Sequence, residues 1–473
     1  MMSLPAPCPT HDLIVVGAGP AGMAAAECAA GLGLSVALVD EQPRPGGQIY
    51  RATGASPLAD ASILGPDYQR GAALVEALSR HRIECFYNAT VWQVTRDREI
   101  GLLVQGQTRL LQGRAIILAT GAMERPVPIP GWTLPGVMTA GAGQILLKSA
   151  GLMPSASVVI AGSGPLLFLI AWQYVQAGVT IAAVVETTPH GNYLRALRHL
   201  GRALKANEYL RKGVALIAGL KRAGIPILRN ARHLRAEAGA DGRVARLHFR
   251  TGNRDRSIEC GLLLLHQGVV PNTQITRALD CSHDWDALQR CWRPRVNEWG
   301  ATDVPGLWVA GDGAGIAGAR AAEHSGRLAA LDAARLLDRI QPSERDEKAA
   351  PDKAALAHHG AVRPFLDTLY ASAPDILVPS DDTILCRCEE VTAGDIRHFV
   401  ALGCQGPNQA KIFGRSGMGP CQGRLCGLTV AEVIADARGV PMEEVGYYRI
   451  RPPIKPITLG QLADLDIPQE AAE

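Results

Sequence analysis

The sequence predicts an α/β fold. Two parallel-sheet units each open on a strand, a glycine turn and a helix, and a small cysteine-bearing domain follows them. Three observations carry this. Residues 13–16 (Leu-Ile-Val-Val) lead into Gly17-Ala18-Gly19-Pro20-Ala21-Gly22 and an Ala-rich helical stretch. The same order recurs at residues 158–167, and Cys residues cluster near the C-terminal end. The 473-residue length allows about three domains.

Composition narrows the classes further. An apolar content of 47% is ordinary for a folded protein and excludes general disorder. A formal charge of +3 is nearly balanced and gives no reason to expect nucleic acid as a partner. The 11 Cys are an odd number, so at least one has no partner within the chain. The opening Met1-Met2-Ser3-Leu4-Pro5 lacks the basic start of a secretory signal. A reducing cytosol is therefore expected, where clustered Cys more often hold a metal than a disulfide. No Asp, Glu, Lys or Arg occurs between Lys148 and Glu186, which a hydropathy window reads as a membrane span. Gly162-Ser163-Gly164-Pro165 interrupts that stretch, so two strands around a buried helix are expected and no transmembrane segment.

The first unit has the strand, glycine turn, helix, strand and acid of a dinucleotide fold. Gly17 permits the tight turn, Gly19 lets the backbone approach a pyrophosphate, and Gly22 lets helix and strand pack closely. Pro20 opens the helix, whose N-terminal N–H groups and dipole favour phosphate. The second strand runs into Asp40-Glu41, where a carboxylate accepts bonds from a ribose. In the next loop the adjacent Gly46-Gly47, followed by Gln48, imply a backbone lying against something flat or charged. Two further segments point to FAD. Ile116-Ile117-Leu118-Ala119-Thr120-Gly121 is a buried strand ending in a small-residue turn. Pro305-Gly306-Leu307-Trp308-Val309-Ala310-Gly311-Asp312 presents an acid for a ribitol hydroxyl, and the helix start near Gly318-Ala319 faces the flavin pyrimidine.

The second unit departs from the pattern. Its third glycine position holds Leu167, which overpacks a close helix–strand contact by ~1–3 kcal/mol unless the elements separate. Glu186 ends the next strand and either binds a ribose or caps the sheet. The expectation is a retained fold with a degenerate nucleotide site. No Cys-x-x-Cys occurs, which opposes dithiol chemistry beside the flavin.

After residue 340 the composition turns polar, and a linker is expected over 341–380. Cys386-Arg387-Cys388 and Cys421-Gln422-Gly423-Arg424-Leu425-Cys426 then form two close pairs on loops. Gly417, Gly419, Gly423 and Gly427 surround the second pair, as suits turns that hydrogen-bond to anionic sulfur. A [2Fe–2S] cluster, structural zinc and free thiols all fit this spacing. Cys404 reads as a buried small residue. His324 is expected to be structural, with a place near the flavin ring as the alternative; Glu124 and Arg125 are expected to form a surface ion pair. The Pro-rich segment at residues 451–456 is either a strap over a neighbouring domain or a disordered tail.

These residues carry a resemblance. Residues 12 to about 338 resemble the two-dinucleotide-domain flavoproteins of the thioredoxin reductase and glutathione reductase superfamily. That likeness implies glutathione-reductase-like domains. It implies that Gly46, Gly47 and Gln48 lie beside the flavin and that Val91 contacts adenine through its backbone. Residues about 381–437 resemble the bacterioferritin-associated-ferredoxin-like [2Fe–2S] domain, with C-x4-C in place of C-x2-C. The resemblance makes Cys386, Cys388, Cys421 and Cys426 the cluster ligands. Glu124-Arg125-Pro126, Gly131-Trp132-Thr133-Leu134-Pro135-Gly136-Val137 and Arg451-Pro452-Pro453-Ile454-Lys455-Pro456 are similar to segments in the large subunits of bacterial amine and imine-forming dehydrogenases. That group includes opine oxidase, D-hydroxyproline dehydrogenase and hydrogen cyanide synthase.

The resemblance implies a division into an FAD-binding domain (1–125 and 301–340), an NAD(P)-binding-like domain (126–300), the linker, a [2Fe–2S] domain (381–440) and a tail (441–473). It also implies a D-amino-acid-oxidase-like small flavoprotein partner, with room for FMN at an interface between subunits and for a small ferredoxin-like subunit. The implied place is the cytoplasm or the inner face of the membrane. The expected activity is relay of electrons from carbon–nitrogen bond oxidation to a one-electron acceptor. The alternative is an NAD(P)H-dependent reductase that feeds a carrier through the cluster.

Overall fold

The computed structural model describes residues 10–465 except 59 and 127. Residues 1–9 and 466–473, the outer ends of the first and last expected segments, lie outside the described residues. Strand Thr10–Val16 forms the centre of the first sheet because its apolar run is covered on both faces, as a parallel strand requires. It pairs in parallel with Val36–Val39 on one side and with Gln107–Leu118 on the other. The long strand Gln107–Leu118 serves two partners. Its first half joins Glu99–Val104 antiparallel, and its end receives Leu307–Val309 in parallel. A strand from nearly 200 positions later in the chain thus completes the first sheet, with Leu307 opposite Ile116.

The second sheet is wholly parallel, in the order Ile227–Leu228, Ile181–Glu186, Val158–Ser163, Leu262–Gln267, Val137–Thr139. The stretch without charges between Lys148 and Glu186 forms two of these strands and the helix Pro165–Gln176 between them. No described helix is long and apolar enough to cross a membrane. An antiparallel meander, Ala231–Ala238, Val244–Thr251 and Arg254–Glu259, extends this unit. The two units are joined by a two-stranded bridge, Ala122–Glu124 with Val269–Pro271.

Where a polar linker is expected, the chain is helical. Pro342–Gly360, Arg363–Leu369 and Pro374–Leu377 are helices, the first with Pro351 inside it. The cysteine-bearing domain then follows as a short strand pair and the helices Ala393–Ala401, Pro407–Gly414 and Gly427–Arg438. Its apolar side chains are continuous with one face of the first sheet. A single buried cluster runs from Ile14, Ile116 and Val309 to Leu385, Ile396, Ile434 and Ile454. Burial of such side chains contributes ~1.5–3 kcal/mol each, so this domain is docked through a core and not hung on a linker.

Candidate functional site

The first glycine turn is held by contacts that admit no side chain. Gly17 has φ +104°, and a Cβ there would stand 2.4 Å from the Ala119 carbonyl oxygen. At Gly22 a Cβ would stand 1.7 Å from the Gly17 carbonyl oxygen. Pro20 begins the helix Pro20–Gly31, and Gly19 before it offers no side-chain cap, so the first N–H groups of the helix are not used by side chains. Asp40 anchors the turn from the next strand: Oδ2 accepts from Ala18 N at 2.6 Å and Oδ1 from Gln42 N at 2.8 Å. Burial pushes the Asp40 carboxyl up, and the two N–H donors offset this. Glu41 turns outward and pairs with Lys455 at 2.8 Å.

The loop after the acid folds back over the turn. Gly46 N donates to Ala18 O at 2.8 Å, and a Cβ on Gly47 would meet Gly19 Cα at 2.8 Å. Gln48 accepts from Arg51 at 2.9 Å. Two groups not foreseen from sequence fix this loop. Buried Tyr50 donates to Glu323 at 3.4 Å, and Arg70 bonds the same carboxylate. Buried Lys148 donates to the carbonyls of Gln48 (3.3 Å) and Ile49 (2.9 Å) and to Gln144 (3.0 Å). Burial, with Arg51 nearby, pulls the Lys148 ammonium down to about 7.

Val91 is half-buried and pairs with Leu102, just before a register shift between Val91 and Gln93. Thr120 and Gly121 form the turn after the central strand; Thr120 Oγ1 donates to Asn272 O at 3.4 Å, and Asn272 N to Gly121 O at 3.0 Å. Gly311 has φ +71° and donates to Ser325 at 3.0 Å. Asp312 Oδ1 accepts from Ala317 N and Gly318 N, both at 2.8 Å, which fixes the entry to the helix Ala319–Leu336. Its other oxygen stays available to a hydroxyl. A Cβ at Gly121 or Gly318 would meet no protein atom within 4 Å. The helix Ala319–Leu336 lies so close to Pro20–Gly31 that a Cβ on Gly326 would stand 2.1 Å from the Ala21 carbonyl oxygen. Bare glycine backbone and unused helix N–H groups are the donors that a dinucleotide diphosphate requires, and the two anchored carboxylates are acceptors suited to sugar and ribitol hydroxyls.

The cysteine loops close in two pairs. Cys388 Sγ lies 3.9 Å from Cys421 Sγ, and the Cys426 thiol faces Cys386. The Cys426 proton and Gly417 N–H (3.5 Å) draw the Cys386 thiol down to about 6, while Cys426 is pushed up in turn. The glycines have steric reasons: a Cβ on Gly419 would meet Cys388 Cβ at 2.2 Å, and one on Gly417 or Gly423 would enter the Tyr448 ring at 2.5 or 2.4 Å. Tyr448 is fully buried, with its hydroxyl on Ser416 and 4.0 Å from Cys426 Sγ. Sequence reading missed this tyrosine. Cys404 stands apart and buried, its thiol on Gly406 O at 3.4 Å. The two sites touch: Gln274, two residues beyond Asn272, donates to Gln422 O at 3.3 Å.

Some expectations are corrected. Glu124 and Arg125 are not a surface ion pair. Glu124 accepts from Gly141 N (2.8 Å) and pairs with buried His266 (2.6 Å), whereas Arg125 is buried and donates to the carbonyls of Gln289 and Arg290 at 2.8 Å each. Glu124 ends the strand bridge and Arg125 follows it, its backbone N–H donating to Gly268 O at 2.9 Å. His324 is structural: it pairs with Asp352 at 2.6 Å and stacks near His359, on the side of its helix that meets Pro342–Gly360.

The comparisons with known proteins agree with this architecture. Residues 11–326 match the pyridine nucleotide-disulphide oxidoreductase family, and residues 382–465 match the sarcosine oxidase A3 domain. The second match takes in the segment expected to be a separate tail. The solved L-proline dehydrogenase of P. horikoshii shares the fold with a TM-score of 0.68 at 17% identity, over 96% of this chain and 79% of that one. The fold and the paired sites thus define an oxidoreductase with two dinucleotide-type units and an A3 domain. An opine oxidase subunit of Agrobacterium tumefaciens is 45% identical over 96% of this chain and 92% of its own length. Hydrogen cyanide synthase subunit HcnB of Pseudomonas aeruginosa is 33% identical over 96% and 98%. The sarcosine oxidase alpha subunit of Rhizobium meliloti is 27% identical, with this chain spanning 42% of that longer protein. The chain belongs to the family that contains HcnB and this opine oxidase subunit.

Proposed function

We propose that this chain is the FAD- and [2Fe–2S]-bearing subunit of an amine or imino-acid dehydrogenase complex of the opine, D-hydroxyproline or glycine type, and that it relays electrons to a one-electron acceptor or the respiratory chain. The pairing of the four thiols carries the reading. Tetrahedral zinc would hold all four sulfurs within about 3.8 Å of one another, given Zn–S bonds of ~2.3 Å. Among the described residues the one set of three ligand atoms mutually within 4.8 Å is Glu208, His358 and His359, so no three of the sulfurs meet that limit. Two separate pairs suit two irons bridged by sulfide better than one zinc.

FAD, when bound, takes up two electrons as hydride and releases them singly, which an iron–sulfur centre requires. The chain's own residues supply the rest. The turn at Gly17, Gly19 and Gly22, with the helix start at Pro20, would bind the diphosphate, and Asp40 the ribose. Gly46, Gly47, Gln48, Thr120 and Gly121 would border the ring. Gly311 and Asp312 would hold the ribitol, with Gly318 and Ala319 at the pyrimidine. Val91 would meet the adenine. Cys386, Cys388, Cys421 and Cys426 would hold the cluster, with Gly417 N–H and the Tyr448 hydroxyl tuning the sulfurs. A D-amino-acid-oxidase-like small flavoprotein would oxidise the substrate, with FMN at the interface and a small ferredoxin-like subunit completing the complex. The NAD(P)H-reductase alternative is opposed by Leu167, fully buried at the second turn.

Anaerobic purification tests this. Two irons and one flavin per chain are expected, with little amine dehydrogenase activity until the partner is added. An iron-free protein holding one zinc, or rapid bleaching of its flavin by NADH, would sink the proposal.

A further inference from the structure

The family matched by residues 11–326 is named for a pyridine nucleotide, and the second parallel sheet is where such a nucleotide would lie. The residues there do not fit one. In this kind of fold the pyrophosphate rests on the glycine turn and a ribose is held by the acid that ends the next strand. The turn here is Gly162-Ser163-Gly164 and the acid is Glu186. Both are already engaged within the chain: Glu186 is buried, accepts from Tyr193 Oη at 3.2 Å and pairs with Arg229 at 3.4 Å, and the turn is covered by a later segment. Ser163 Oγ donates to the Tyr370 carbonyl at 3.3 Å. Asn192, fully buried on the helix His190–Leu197 just past Glu186, donates through Nδ2 to the carbonyls of Leu369 and Ala371, at 3.0 Å each. Three successive carbonyls are thus tied to the groove. The half-buried Tyr370 phenol lies in the surroundings of Glu186, Tyr193 and Arg229.

The chain beyond Tyr370 is seated as firmly. Ala373 and Ile376 are buried in one cluster with Ala161, Val185 and Leu265 of the second sheet. The Asp375 carboxylate accepts from His233 N at 2.9 Å. On the other side of the turn, a Cβ on Gly164 would meet the His266 ring at 3.2 Å, and buried His266 is itself held by Glu124.

We infer that residues 369–376 permanently occupy the second dinucleotide groove, which serves as the socket anchoring the connection to the cysteine-bearing domain. An occupant on the same chain binds at high effective concentration and pays no cost of lost translational freedom. A free dinucleotide would have to expel it, together with the buried Ala373 and Ile376, before reaching Ser163, and would still find Glu186 held by Tyr193 and Arg229. The overpacking expected at Leu167 is then harmless, because helix Pro165–Gln176 has no phosphate to approach.

Chymotrypsin, which cuts after exposed aromatic residues, tests this on the full chain, with the bond after Tyr370 followed by mass spectrometry. The bond is expected to outlast those in exposed loops, and NADH or NADPH at about 1 mM, the upper end of usual cofactor needs, should leave its rate unchanged. Asn192→Ala should speed that cleavage about tenfold with other sites unaffected, because two tethers are lost; Ser163→Ala serves if the first variant does not fold. Rapid cleavage of the unaltered chain, a saturable response to either dinucleotide, or an unchanged rate in a folded variant would overturn the inference. The readout uses neither flavin nor iron, so it stands or falls apart from the cofactor reading.

Discussion

At the residue scale, glycines that exclude a side chain separate the two sites. Gly419 has no left-handed backbone requirement, so its reason is purely steric: a Cβ would stand 2.2 Å from Cys388 Cβ and 2.8 Å from its sulfur. Overpacking of this kind costs ~1–3 kcal/mol, and here it falls on a candidate ligand. Gly419→Ala should therefore lose bound iron while flavin content stays near that of the parent, measured by metal analysis and absorbance; equal iron in both proteins would show that Cys388 is not a ligand. Lys148 makes a different prediction. Its folded value of about 7 lies below the ordinary 10.5, so between these values the unfolded chain holds a proton that the folded chain lacks. Stability therefore rises with pH through this window, by at most about 1.4 kcal/mol per unit. Lys148→Met should remove that rise, seen as urea-unfolding curves for parent and variant that diverge from pH 7 to 9.5; parallel curves would contradict it.

At the element scale, what was legible was local. The apolar run, Gly17, Gly22 and Asp40 lie within one strand–turn–helix–strand unit, and their spacing states the packing that the structure contains. The four cysteines were legible as two close sequence pairs, but the spatial pairs cross between the loops, Cys388 with Cys421 and Cys386 with Cys426, which local spacing does not state. Elements made by distant residues were not legible. Gly326 is needed because its helix touches the Ala21 backbone, which no neighbouring residue reveals. Helix Pro342–Gly360 is polar and contains Pro351, and it exists by packing on Ala319–Leu336 and not by propensity. Tyr448 approaches the cysteine loops from beyond the last long helix, so only the shape of Gly417 and Gly423 records it. The weakness of the second glycine turn was visible in Leu167, but its occupant was not, because residues 369–376 read as linker.

At the scale of the whole molecule, two segments that look like connections hold the domains in register. One fills the groove of the second sheet. The other is the C-terminal strap: Ile454 N donates to Trp92 O at 2.8 Å, Lys455 meets Glu41 at 2.8 Å, and Thr108 Oγ1 donates to Gln461 O at 2.7 Å. The strap leaves the cysteine-bearing domain and meets the first-sheet unit at Trp92, Glu41 and Thr108. Its ion pair is partly exposed on both sides, which limits its worth to about 1 kcal/mol or less. Ile454, in contrast, is 5% exposed within the core shared by the two domains, where an Ile→Ala change costs ~2–5 kcal/mol. Packing and not charge should therefore hold the strap. Lys455→Ala is expected to shift the thermal midpoint little, whereas Ile454→Ala should lower it by several degrees and loosen the first sheet and the cysteine-bearing domain together. Calorimetry with hydrogen exchange at residues 89–94 and 427–438 distinguishes the outcomes, and a larger effect from Lys455→Ala, or protection lost in one domain alone, would mean that the domains do not share a core.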